Sequence, residues 1–288
     1  MVLMTSILAP QLATAQEADE GTPLTLLGAE TIIYREIDGI ELRLFVVKPD
    51  GWQADDERPA LLTYFGGGWS SGNVERSIAY ARWAPEHGMV GIASDYRTSE
   101  RFEGTPEDCV ADARAAMSWV QQHAAELGID AHKIVAHGSS AGGHLALWAA
   151  IPESGPGPND PAPEIMPAGL ILLNPVSDTK ESGYGGSRLF GNNTERALAL
   201  SVPDQMPTKM PPALILHATG DETVPYANSV ALRDQLEATG NDATLITFEG
   251  LGHAYHSTRY GQAGKDAYTK TKADSLTFLK RLGFVDTE

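Results

Sequence analysis

Six short, nearly unbroken apolar runs constrain this chain most: PALLTYF (59–65), GMVGIASDY (88–96), KIVAHG (133–138), GLILLNPV (169–176), PALILHAT (212–219) and ATLITFE (243–249). They lack the alternation of a half-exposed strand and read as strands buried on both faces. Helical patterns lie between or after them, at Val74 to His87, Pro106 to Leu127, Ala141 to Ala150, Val224 to Ala238 and Asp266 to Leu282. Thr105 is the expected N-cap of the second, with Pro106 at its first position and acids in its first turn. Strands alternating with helices imply an α/β fold, a mostly parallel central sheet flanked by helices on both faces. The opening differs: ETIIYREIDGIELRLFVVK (30–48) reads as an antiparallel hairpin around Asp38-Gly39. Ligands of such sheets sit beyond the carboxyl ends of the strands, so chemistry is sought just after each run.

Apolar residues make up 42% of the 288, enough for a sizeable core. No repeat or composition break divides the chain, so residues 16–288 are expected to form one domain. Its irregular insertion, 177–210, is rich in Gly, Asn and Ser and reads as a small lid. Residues 1–15 read as a secretory signal peptide: an apolar stretch, then Ala13-Thr14-Ala15 before Gln16, without a basic start. Export to the periplasm or beyond is the expectation. No apolar run is long enough to span a membrane, so no membrane insertion is expected. Lys+Arg is 21 against 38 Asp+Glu, and the net charge of −17 disfavours nucleic acid and anionic surfaces as partners. The one cysteine, Cys109, lies in a helical pattern, forms no intrachain disulfide and reads as a small buried apolar residue.

Strand KIVAHG runs directly into SSAGGHLALW, which is helical. G-x-S-x-G fits there in one register, Gly138-Ser139-Ser140-Ala141-Gly142. A central Ser139 would need glycine at 137 and 141, which hold His137 and Ala141. A strand turning sharply into a helix strains the central serine and exposes its Oγ, and only glycines fit beside it. Ser140 is therefore the candidate nucleophile. The amide of Ala141, at a helix N-terminus, is a candidate oxyanion donor. A serine needs a base, and the base an orienting acid, in the chain order Ser, acid, His. Asp221 follows PALILHAT and Gly220, with Glu222 as the alternative acid. His253 follows ATLITFE on a Gly-rich loop, with His256 as its rival.

His137 and His144, flanking the turn, read as packing or supporting groups, and His217 lies inside a strand. No HEXXH or acidic ligand cluster accompanies the histidines, so neither metal nor cofactor is expected. Gly66-Gly67-Gly68, straight after the first buried run, allow close approach of a backbone. The amides of Gly67 and Gly68 are the other oxyanion candidates. Trp69 either lines the pocket, as a substrate-binding residue, or packs beneath this loop.

Together FGGGW (65–69), SDYR (94–97), GID (128–130), GSSAGGHLA (138–146), GDETVP (220–225) and GLGH (250–253) resemble the α/β-hydrolase fold. More closely they resemble the bacterial esterase/lipase group with HGGGW and GxSAGG motifs, over about residues 30–282. Phe65 stands where that group usually has a histidine bracing the loop, so the departure touches the loop's support rather than the mechanism. DCVADARAAMSWVQQHAAELGID is similar to exported proteins described as acetyl or acetylxylan esterases. The resemblance implies a serine carboxylesterase for short acyl esters, on a small-molecule or carbohydrate partner, with acetyl groups on sugars as one substrate. An arylformamidase or a prolyl-oligopeptidase-like peptidase would use the same triad. A non-catalytic binding module would not need the complete set.

Overall fold

The computed structural model describes residues 25–152, 155, 161–180, 184, 190–191 and 193–286. The expected signal peptide lies outside them, as does part of the expected lid. Eight strands form one sheet: β1 (Glu30–Ile37), β2 (Ile40–Val47), β3 (Arg58–Tyr64), β4 (Val90–Ser94), β5 (Ile129–Ser139), β6 (Gly169–Leu173), β7 (Ala213–Ala218) and β8 (Ala243–Phe248). Their spatial order is β1-β2-β4-β3-β5-β6-β7-β8. From β4 onward all neighbours are parallel, while β1 and β2 are antiparallel to each other and β2 to β4. Asp38 and Gly39 carry φ of 51° and 80°, the left-handed pair that a two-residue hairpin turn needs.

Among the described residues the helices are α1 (Ile78–Trp83), α2 (Ser99–Phe102), α3 (Pro106–Gln122), α4 (Ala141–Trp148), α5 (Thr194–Leu200), α6 (Val202–Gln205), α7 (Tyr226–Ala238) and α8 (Gly261–Arg281). Strand parity divides the core. Leu62, Ala136, Leu170 and Ile215 pack with Val110 and Met117 of α3, Leu145 of α4 and Leu232 of α7. Leu61, Val135, Ile171 and Leu214 pack with Tyr80 and Trp83 of α1 and Phe278 of α8. Helices thus cover both faces, as the unbroken apolar runs require.

Several boundaries differ from the sequence reading, among them the start of α8 at Gly261 rather than Asp266. Val74 to His87 is not one helix but two short 3-10 turns (Val74–Arg76, Ala84–His87) flanking α1. Pro85 has no N–H to continue α1, and Gly88 at φ 75° ends the segment. Helix α3 starts as expected, with a reciprocal Thr105–Asp108 capping box, but stops at Gln122 rather than Leu127. There the His123 ring stacks on Trp119 at 3.9 Å and bonds its carbonyl through Nδ1 at 2.9 Å. The 177–210 insertion holds α5 and α6, which the irregular composition hid. Asn193 caps α5 by accepting from the Arg196 amide. Leu200 and Val202 are buried in the core that includes α4.

The SDYR segment after β4 is locked by buried ion pairs. Arg101 grips Asp95 with two bonds of 2.8 Å. Arg97 grips Asp112 of α3 at 2.8 and 3.0 Å, and its amide adds a third bond. Removing one partner of such a pair strands the other charge. Cys109 is buried beside this segment, its Sγ donating to the Arg97 carbonyl, and burial pushes the thiol far above its ordinary range.

Candidate active site

Strand β5 delivers Ser140 to the carboxyl edge of the sheet, and α4 begins at the next residue. Ser140 has φ 57° and ψ −122°, a conformation costly for a non-glycine residue. The Leu173 carbonyl accepts its amide proton at 2.9 Å, and its own carbonyl accepts from Gly143 and His144 inside α4. The flanking glycines are steric necessities. A Cβ at Gly138 would collide with the Gly142 backbone, and one at Gly142 with the carbonyls of Tyr64 and Phe65.

Two distant loops complete a relay. His253 Nε2 lies 3.0 Å from Ser140 Oγ, and its Nδ1 lies 2.7 Å from Asp221 Oδ2. Asp221 is held from four directions. Its Oδ1 accepts the amides of Thr223 and Val224, both at 2.9 Å, and its Oδ2 also accepts His217 Nε2 at 3.0 Å. Burial alone would raise the Asp221 pKa. The hydrogen bonds from His217 and His253 outweigh it and hold the carboxyl well below the usual carboxylate range. Of the rivals, Glu222 is exposed, and His256 makes no bond to Ser140 or Asp221 among the described residues.

His217 is the residue that sequence reasoning undervalued. It is fully buried in β7, and its Nδ1 lies 2.7 Å from Ser229 Oγ of α7. Its Nε2 faces two acceptors, Asp221 Oδ2 and the Val224 carbonyl, so Nε2 carries the proton and Nδ1 accepts from Ser229. Its four-residue spacing from Asp221 was the available signal.

The glycine loop lies directly against the elbow, where a Cβ at Gly66 would come 2.7 Å from the Ser139 carbonyl. The Gly67 carbonyl accepts the amides of Ser70 and Ser71, and Gly67 and Gly68 carry φ of 152° and 60°. The amides of Gly67, Gly68 and Ala141 meet no acceptor among the described residues. Phe65 braces the loop by stacking on Tyr96 at 4.0 Å, while the Tyr96 hydroxyl donates to the Phe65 carbonyl at 2.7 Å. This pair does the supporting work left open by the missing histidine.

The pocket reading of Trp69 is corrected. Trp69 is 1% exposed, sits outside the cavity and packs beneath the loop against His144 and Tyr184. His144 is indeed a packing group, its Nε2 2.8 Å from the Leu200 carbonyl, tying α4 to α5. His137 is more than that, because it lines the cavity.

That cavity, about 360 Å³, opens over Ser140. Phe65, Gly66, Gly67 and Gly68 wall one side, His253, Ala254 and His256 another, and Tyr184 of the insertion reaches in. No described helix is long and apolar enough to cross a membrane, and no described group of His, Cys, Asp and Glu is placed to hold a metal.

Two sequence profiles match: BD-FAE over residues 49–156, and the prolyl oligopeptidase family over 178–281. The esterase LipQ of Mycobacterium tuberculosis is 26% identical, covering 72% of this chain and 53% of its own length. An isoprenylcysteine alpha-carbonyl methylesterase of Arabidopsis thaliana is 24% identical, over 69% of this chain and 51% of that one. This chain thus spans about half the length of these curated relatives. A thermophilic esterase of the Planctomycetes species Thermogutta terrifontis, solved with propionate bound, is 35% identical with a TM-score of 0.81, covering 91% of this chain and 97% of that one. The same esterase phosphorylated by paraoxon gives 35% and 0.79, over 92% of this chain and 98% of that one. The sheet order, the elbow and this near full-length likeness agree: the chain belongs to the α/β-hydrolase fold family, among its bacterial esterases.

Proposed function

We propose that this protein is a serine carboxylesterase for short-chain acyl esters, with acetyl groups on carbohydrates among its natural substrates. The observation that carries the reading is the Ser140–His253–Asp221 relay, at 3.0 and 2.7 Å. His253 Nε2 takes the Ser140 proton as Oγ attacks the ester carbonyl. Asp221 accepts from Nδ1, which sets the tautomer and stabilises the imidazolium. The amides of Gly67, Gly68 and Ala141 hold the oxyanion. His253 then gives its proton to the leaving alcohol, and water, activated by the same base, releases the acid from the acyl-enzyme.

Short chains are supported by a cavity of about 360 Å³, at the small end for ligand pockets, and by the propionate bound to the Thermogutta esterase. The prolyl oligopeptidase match keeps a peptidase as the second reading. Export, read from residues 1–15, belongs to the same proposal.

The test is a series of 4-nitrophenyl esters from acetyl to long chains, beside acetylated xylan and a proline-containing peptide. Acetyl to butyryl esters are expected to be the best substrates, and Ser140→Ala to lower turnover at least about 10⁴-fold. Paraoxon is expected to inactivate the wild type with one covalent adduct that Ser140→Ala does not form. Peptide cleavage without ester turnover would reverse the reading.

A further inference from the structure

The cavity contains polar groups that the relay does not use. His137 (2% exposed) and Tyr80 (5% exposed) pack with ring centroids 4.2 Å apart and planes tilted by 38°, and His256 meets the Tyr80 ring edge-on at 6.4 Å. All three line the cavity that holds Ser140 and His253. The Tyr80 hydroxyl, both ring nitrogens of His137 and Nδ1 of His256 are buried and have no hydrogen-bond partner among the described residues. Three such side chains in one contact cluster are uncommon in a folded core, where buried polar groups are paired.

Their charge state narrows the ligand. Burial, then His256, pushes the His137 pKa down to about 3, and burial, then His253, pushes that of His256 down to about 4. Burial pushes the Tyr80 phenol far up. The cluster is therefore neutral at ordinary pH. No carboxylate lines the cavity among the described residues, and Arg76, its one cation, donates to the Gly66 carbonyl. Neutral imidazole and phenol each offer a donor and an acceptor, the match for a hydroxyl rather than an ion. An alkyl group there would leave them unpaired, the situation in which a site most strongly rejects an analogue lacking the hydroxyl. His256 lies three residues beyond His253, whose Nε2 lies 3.0 Å from Ser140 Oγ and returns the proton to the leaving alcohol in the proposed reaction. This neighbourhood favours the alcohol side of the ester over the acyl side, and the test below has an arm for each.

Resting on the esterase reading above, we infer that Tyr80, His137 and His256 form a subsite for hydroxyl groups of the leaving alcohol, so that the preferred substrates are short acyl esters of polyhydroxylated alcohols.

The test compares glycerol monoacetate with propyl acetate, which has the same carbon skeleton without the two free hydroxyls. The wild type is expected to favour the former by at least about tenfold in kcat/KM. Tyr80→Phe, which removes one hydroxyl and no bulk, should lower that ratio about 5-fold. His256→Leu, on a surface loop, should lower it in the same direction. Ethyl 3-hydroxybutyrate against ethyl butyrate forms the acyl-side arm, and the variants should leave that ratio alone. A wild-type ratio near one, equal losses on both acetates, or a response confined to the acyl-side pair would overturn the inference. If the wild type hydrolyses none of these esters, the esterase reading itself fails. If it hydrolyses them, Ser140→Ala silences it and the ratio ignores both variants, only the subsite fails.

Discussion

Asp221 is where the site is most tightly held. Two amides take one carboxylate oxygen, and two histidines, His217 and His253, share the other. A single acceptor receiving two imidazole donors is firmly oriented and kept ionised, because both bonds favour the charged form. His217 is thus a positioning residue that acts through Asp221, and the two acceptors facing its Nε2 set its tautomer. His217→Gln should lower kcat about tenfold. It should do so at nearly unchanged KM, because Asp221 keeps its charge but loses one of the bonds that hold it in position under His253. An unchanged kcat in a folded variant would mean that His217 serves packing alone.

At the scale of elements, the proposed catalysis depends on a junction of three backbones. The end of β3 carries the glycine loop, β5 carries the elbow, and α4 starts between them. Gly142 of α4 lies against the Tyr64 and Phe65 carbonyls, leaving no room for a methyl group. Gly142→Ala should cost about 1–3 kcal/mol of stability, as overpacking usually does. Its effect on kcat/KM should be larger in proportion, about 100-fold, because a small displacement separates the oxyanion amides from Ser140. Thermal unfolding together with ester kinetics would check this, and an active variant of unchanged stability would contradict it. The G-x-S-x-G register foretold this glycine, since it is a local steric rule. The bracing of the loop by Phe65 on Tyr96 was not legible, because Tyr96 arrives from the end of the neighbouring strand β4.

For the molecule as a whole, buried neutral histidines make stability depend on pH. His137 and His144 titrate near 3 and 4 in the fold, lowered first by burial, against 6.5 unperturbed. Between about 4 and 6.5 the unfolded chain binds protons that the native state refuses. Their contribution is therefore complete above pH 6.5 and is lost as pH falls towards the folded values. Each adds a slope of roughly 1.4 kcal/mol per pH unit near pH 5, or about 2.5–3 together. Urea denaturation at steps between pH 7 and 4.5 should show the midpoint falling with acidity, and a flat profile across that window would contradict it.

The sequence alone determined the layered α/β architecture, the serine that occupies the elbow, and the aspartate and histidine that line up with it. Each follows from rules of short range: the unbroken apolar period of buried strands, the steric demand at one turn, and the placement of loops after strands. The tertiary structure decided the remainder. It set Trp69 beneath the glycine loop, ordered α5 and α6 against α4, gave Asp221 a second histidine, and gathered Tyr80, His137 and His256 around one cavity. Those outcomes depend on which side chains meet across segments far apart in the chain. Such meetings are settled by packing and by hydrogen-bond partners, which no local pattern encodes.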